Sequence, residues 1–226
     1  YEVIEGGGSG GNMDVLLVAV KKDKISDYTS AISQAGKSPQ IVDVDVFALQ
    51  NCYEINYGND PGRVIALLNV GASVMNINIV KGATSIFNRD IAVGGNQYTD
   101  AIQKDLNLSF EQAEALKRGE QVEGAAPESL QPILQAVSEN VAMEIQKTFD
   151  FYRATTEDNE TVVQKILISG GGSKLAGLAQ ELSQRLELPV EVLDPFRNIN
   201  VDTKKFDPDY LSEIVPEMAV AVGLAV

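Results

Sequence analysis

Val64-Ile65-Ala66-Leu67-Leu68-Asn69-Val70-Gly71-Ala72-Ser73-Val74-Met75-Asn76-Ile77-Asn78-Ile79-Val80-Lys81-Gly82 is the stretch whose reading decides the fold. An apolar run ends at Asn69, and a tight turn follows at Gly71 and Ala72. An alternating run then sets Val74, Asn76, Asn78 and Val80 against Met75, Ile77 and Ile79. Period-two alternation after a glycine turn reads as a hairpin. The first strand has no polar face and is expected to lie centrally in a sheet covered on both sides, with the second half-buried. Small residues at the turn let backbone N–H groups point outward, which is how a loop holds phosphate oxygens without basic side chains. An ordinary glycine-containing hairpin uses the same residues, so the turn alone leaves both uses open.

Downstream, residues 84–92 supply a third strand and complete an antiparallel meander. Gly94-Gly95 follows, and Asn96 is placed to cap a helix with the stripe Tyr98, Ile102 and Leu106. Ser109-Phe110-Glu111-Gln112 has the capping-box pattern, and Gly119 ends that short helix. The longest helix, residues 129–154, carries Ile133, Val137, Val141, Ile145, Phe149 and Tyr152 at helical spacing, a core stripe. Residues 162–168 form a buried strand, followed by Ser169-Gly170-Gly171-Gly172-Ser173 and a helix to about residue 187. Strand, glycine turn and helix N-terminus in that order make an anion or nucleotide site, because free N–H groups and the helix dipole converge there. Glycines that merely relieve crowding in a tight connection are the alternative. Residues 189–193 form a further strand, 194–210 a polar loop, and 217–226 an apolar terminal helix expected to be buried, with Pro216 in its first turn.

Upstream, residues 13–20 read as an apolar strand and 24–35 as a helix with Ile25, Tyr28, Ile32 and Ala35 on one stripe, stopped by Gly36. With residues 40–44 as a second strand returning beside the first, this is a small α/β unit whose stripe is its own core. Asp45 is placed to cap a helix over 46–56, broken by Gly58-Asn59-Asp60-Pro61-Gly62. The run Gly6-Gly7-Gly8-Ser9-Gly10-Gly11, whether an engineered linker or a natural loop, is expected from composition to be a flexible coil. The chain opens at Tyr1 and stops inside an apolar segment, so a piece of a longer protein is expected.

Composition narrows the chemistry. Net charge is -14 over 226 residues with no basic cluster, which argues against nucleic acid as a partner. Cys52 is the single cysteine and histidine is absent, which removes disulfides, Cys/His zinc sites and histidine-based triads. Carboxylates, amides, hydroxyls and lysines remain for function. No apolar run reaches the roughly 18–20 residues of a membrane span and no signal-like segment opens the chain, so a reduced, cytoplasmic location is the expectation.

The order of elements resembles the second half of the actin-like ATPase fold, an α/β architecture with a ribonuclease H-like sheet covered by helices. Within it the sequence is similar to the PilM family, FtsA-like cytoplasmic proteins of type IV pilus assembly. The residues that carry the likeness are Leu68-Asn69-Val70-Gly71-Ala72-Ser73, Val93-Gly94-Gly95, Glu114-Ala115-Leu116-Lys117, Phe149-Asp150-Phe151-Tyr152, Ile168-Ser169-Gly170-Gly171-Gly172-Ser173-Lys174-Leu175 and Glu217-Met218-Ala219-Val220-Ala221-Val222-Gly223-Leu224. The resemblance implies that Gly71, Ala72 and Ser73 form the second phosphate loop. It implies likewise that Gly170, Gly171, Gly172 and Ser173 form the adenosine loop, and that Glu114 and Lys117 lie at the ribose, a solvated helix face being the alternative for that pair. It further implies a small subdomain 1C over residues 1–46, a connecting helix over 47–61, and a second domain over 62–226. In that domain 2A spans 62–93 and 162–226, and 2B is inserted at 94–161.

The family's first phosphate loop is absent, so this chain supplies one wall of the cleft and is expected to be empty of nucleotide by itself. Asn69 stands where the superfamily usually has Asp, which lowers the expected affinity for magnesium. Phe47 stands where actin positions water with glutamine, so at most weak ATPase activity is expected. The function implied is an ATP-binding scaffold, with magnesium in the full-length protein. Its partners would be the cytoplasmic N-terminal peptide of PilN and other pilus assembly proteins, at the inner membrane through those partners, with self-association a further expectation. A sugar- or acetate-type kinase on the same superfold, or a nucleotide-free interaction domain, are the alternatives.

Overall fold

The computed structural model describes residues 2–4, 14–82, 84–125, 127–156, 161–202 and 204–226. The coil expected over residues 6–11 lies outside them. The chain divides into two compact units, Tyr1–Asp43 and Val44–Val226. In the first, β1 (Glu2–Ile4) pairs antiparallel with β2 (Asp14–Leu16), and α1 (Lys22–Gln34) follows. Gly36 sits just past the helix at φ +76, the left-handed position that ends it, as expected.

Two expectations for this unit fail. Residues 40–44 form no strand, and the neighbour of β2 is β1. The helix stripe is no core either: α1 buries no residue, and Tyr28 stays 64% exposed. Ile41 and Val42 are exposed as well, and among the described residues no sheet or helix covers this apolar pair. The expected strand over 13–20 is regular only at Asp14–Leu16 among the described residues.

In the second unit, β3 (Val64–Val70), β4 (Met75–Lys81) and β5 (Thr84–Ile91) form the meander. Parallel β6 (Lys165–Ser169) and β7 (Val190–Val192) extend it in the order β5-β4-β3-β6-β7. β3 is central because it is apolar on both faces. Val64, Ala66, Leu68 and Val70 join one core, and Ile65 and Leu67 the other. The first core is closed by α3 (Gly95–Leu106), α4 (Phe110–Lys117), α5 (Pro127–Thr155) and α6 (Leu178–Leu186), and the whole expected α5 stripe from Ile133 to Tyr152 lies in it. Burying each such large apolar side chain stabilises the fold by about 1.5–3 kcal/mol.

The second core is closed by α2 (Asp45–Tyr57) and α8 (Ala219–Gly223). Those two helices touch backbone to backbone: a Cβ on Gly223 would stand 1.6 Å from the Ala48 carbonyl oxygen. Helix α2 starts one residue early, with Val44 at its N-cap and Asp45 inside the first turn, where its charge favours the dipole without a capping bond. Cys52 packs inside this core, where burial pushes its thiol up to about 11 and keeps it protonated.

β4 departs from expectation by being covered on both faces. Asn78 is fully buried under α2, donating to the Val46 carbonyl at 3.0 Å and accepting from the Ser85 hydroxyl at 2.7 Å. An amide with both ends satisfied is compatible with a core position, so polarity did not mark exposure. The last segment also differs. α7 (Pro208–Ile214), capped by Asp207, begins inside the expected loop and runs past its end at residue 210. The apolar terminal helix shrinks to α8 after a single-turn 3-10 helix at Val215–Glu217, and Leu224 and Val226 beyond it are exposed.

Candidate functional site

The β3–β4 turn is built so that its carbonyls and its amides face different partners. Gly71 N–H closes the turn on the Val74 carbonyl at 3.0 Å. The carbonyls of Gly71 and Ala72 accept from the N–H groups of Gly95 and Asn96 at 2.9 and 2.8 Å. Those donors are orphan amides of the first turn of α3, so the turn caps the helix. Asn96 therefore does not cap α3 by its side chain as expected. Gly94 holds the N-cap, and Asn96 Nδ2 donates to the Ser73 hydroxyl at 3.0 Å. Gly94 is required by the approach itself, since a Cβ there would stand 2.5 Å from the Gly71 carbonyl oxygen. Ala72, Ser73 and Val74 are exposed, and among the described residues their N–H groups have no hydrogen-bond partner.

The glycine turn after β6 lies against the same strand end. β6 pairs in parallel with β3, placing Ser169 opposite Asn69. Gly170, at φ +83, approaches so closely that a Cβ would lie 2.5 Å from the Val70 carbonyl oxygen and 2.7 Å from Asn69 Oδ1. At Gly172 a Cβ would fall 2.3 Å from Val70 Cγ1. Both glycines are thus demanded by packing on β3. Gly171 is different: it has no left-handed φ, and a Cβ there would meet only Glu217 Oε1, at 3.9 Å. Ser173 closes the turn, donating from its hydroxyl to the Gly170 carbonyl at 2.7 Å. The turn leads into a short 3-10 helix, Gly171–Lys174, and α6 begins only at Leu178. The expected helix N-terminus is therefore not at this turn, and no long-helix dipole points into it. The N–H groups of Gly171 and Gly172, unpartnered among the described residues, are the donors the turn can offer an anion.

Glu114 and Lys117 lie on the other side of the β3–β4 turn, packed on the start of α3. Their side chains are 19% and 13% exposed, so they are not a solvated helix face. Lys117 Nζ donates to Glu114 Oε1, to Thr99 Oγ1 at 2.7 Å and to the Gly95 carbonyl at 3.2 Å, which uses its three protons. Glu114 Oε1 also accepts from Thr99, while Oε2 faces Arg118 at 3.7 Å. Burial works to raise the Glu114 pKa, but the bonds from Lys117 and Thr99 and the charges of Lys117 and Arg118 outweigh it. The group is held below its ordinary 4.5. Lys117 has no donor left for a ligand, whereas Glu114 Oε2 keeps capacity to accept. All ten predicted residues therefore lie on three connected segments around the C-terminal end of β3.

The family described as type IV pilus assembly protein PilM matches residues 1–226 of the sequence. The chain belongs to the PilM family. Among solved structures it is similar to PilM in a PilM-PilN type IV pilus biogenesis complex, with 29% identity and a TM-score of 0.76 over 89% of this chain. It spans 56% of the length of that chain. It is also similar to the ethanolamine utilization protein EutJ from Carboxydothermus hydrogenoformans, at 16% identity and TM-score 0.65, covering 92% of this chain and 61% of that one. MreB 5 of Spiroplasma citri bound to AMPPNP matches at 11% identity and TM-score 0.62, covering 91% and 65% of the two chains. These two likenesses establish the actin-like fold expected from the sequence.

Within this PilM-family chain, three neighbours of the site escaped the sequence reading. Thr99 links Glu114 to Lys117, and Asn76 and Asp90 stand beside Asn69 across the sheet. Thr99 follows Gly95 by one helical turn, which was legible. Asn76 and Asp90 become neighbours only through strand register, which depends on the β5 pairing. Among the described residues no helix is long and apolar enough to cross a membrane.

Proposed function

We propose that this chain is the second-half wall of the nucleotide cleft of a PilM-type scaffold that binds ATP and a short peptide of a PilN-type partner in the cytoplasm. The observation that carries the reading is the β3–β4 turn. Its carbonyls are taken by α3, so the unpartnered N–H groups of Ala72, Ser73 and Val74 are left to meet phosphate oxygens. The glycine turn at Gly170, Gly171, Gly172 and Ser173 would lie against adenosine, and Glu114, held by Lys117, would accept a ribose hydroxyl through Oε2. Magnesium would sit near Asn69 in the complete protein, through water, since an amide oxygen carries no charge to bind it directly. A protein of the same fold, MreB 5, holds AMPPNP.

The partner reading rests on a relative, PilM, whose structure is that of a complex with PilN, and on the apolar exposure of the first unit, where Leu17 is 73% and Tyr28 64% exposed. The scaffold reading is favoured over a kinase by the family to which the chain belongs, that of a type IV pilus assembly protein. Calorimetry on the complete protein tests both parts. Magnesium ATP and a synthetic PilN N-terminal peptide should each bind, and the isolated 226-residue chain should bind neither measurably, because half a cleft leaves the triphosphate in water. Equal affinity of fragment and whole for either ligand would contradict it.

A further inference from the structure

Asn69, Asn76 and Asp90 stand directly opposite one another on β3, β4 and β5, one row on one face of the sheet. Asn69 Nδ2 donates to Asn76 Oδ1 at 3.1 Å, and Asn76 Nδ2 donates to Asp90 Oδ1 at 2.8 Å. An amide can be turned end for end, but a carboxylate can only accept. Asp90 therefore fixes the direction of the whole row. Asn76 must offer Asp90 its NH2, so its oxygen faces Asn69, whose NH2 is engaged by Asn76. The Asn69 oxygen is left on the far side, toward Gly170, where a Cβ would lie 2.7 Å from it.

We propose that Asp90, through Asn76, is a positioning residue that holds the Asn69 oxygen in the gap between the β3–β4 turn and the glycine turn. Resting on the nucleotide reading, this assigns the oxygen a water of the magnesium that accompanies ATP. The device gives a neutral residue a fixed acceptor where a freely turning amide would present donor or acceptor equally. It also explains why a carboxylate at position 69 would not fit the present surroundings. Asp at 69 and Asp at 90 would both demand donors from Asn76, which has one NH2 and one oxygen. Reversing both ends, with Asp at 69 and Asn at 90, lets the row run the other way with every bond kept.

The test compares four forms of the complete protein: natural, Asn69→Asp, Asp90→Asn, and the double variant. Asn69→Asp alone should lower the thermal midpoint by about 2–4 °C, and the double variant should recover to within about 1 °C of the natural protein. Additive losses would overturn the row. In ATP titrations with and without magnesium, the double variant should gain about tenfold in its magnesium-dependent affinity, and Asp90→Asn alone should lose part of it. Nucleotide bound with the same magnesium response in all four forms would overturn the placing of the oxygen at the metal. Non-additive midpoints with no nucleotide bound by any form, the natural one included, would support the row while removing the nucleotide reading.

Discussion

Three consecutive glycines after β6 do different jobs. Gly170 and Gly172 are pinned by Val70, while Gly171 has an ordinary φ and open space beside Glu217. Ala at 170 or 172 should therefore cost roughly 1–3 kcal/mol, the penalty for forcing a methyl into a packed contact. Gly171→Ala should change stability by less than about 0.5 kcal/mol. Denaturant midpoints of the three variants check this order. The separation makes Gly171 the clean probe of the adenosine role: Gly171→Val in the complete protein should keep the fold and weaken ATP binding. The left-handed conformation in this run belongs to Gly170, so the backbone at Gly171 does not bar a side chain. A glycine run reveals that backbones approach closely but not which glycine meets which neighbour. Here β3 and β6, about a hundred residues apart, had to be brought together first.

The tie between α3 and α4 joins the charged Glu114 and Lys117 to the Thr99 hydroxyl and the Gly95 carbonyl, and it has a pH signature. The Glu114 carboxyl is held below 4.5 in the folded chain by the donors and charges that outweigh its burial. A group with a depressed folded pKa contributes its full share above the unfolded value and loses it as pH falls through the folded one. The difference in stability between the natural protein and Glu114→Gln should thus be full at neutral pH, on the order of 1–3 kcal/mol. It should shrink below 4.5 and vanish once the folded carboxyl is protonated. Unfolding midpoints across the acid range measure it, and a difference independent of pH would show that Glu114 contributes by packing alone. At this scale the sequence was informative where a signal was local. The α4 capping box, the stop signals at Gly36 and Gly119 and the α5 stripe all stand in the structure. It misled where distant chain decides: α3 takes its cap from the carbonyls of another turn, and the small unit's apolar residues find no partner among those described.

For the molecule as a whole, the hairpin reading placed β3 at the centre of a sheet covered on both faces, and that one placement generates the site. A central strand flanked by an antiparallel and a parallel neighbour brings the β3–β4 turn and the post-β6 turn to the same end, while α3 and α4 close the other side. The actin-like fold was therefore legible from apolar pattern and motif order. The division of labour within the turn was not, because no sequence signal says that the Gly71 and Ala72 carbonyls are consumed by α3. That division carries the functional claim, and amide hydrogen exchange on the complete protein reads it directly. Addition of magnesium ATP should slow exchange at Ala72, Ser73 and Val74 and leave the Gly95 and Asn96 amides, already bonded to the turn, little changed. Unaltered exchange at Ala72, Ser73 and Val74 under conditions where the nucleotide is bound would contradict the assignment of this turn to phosphate.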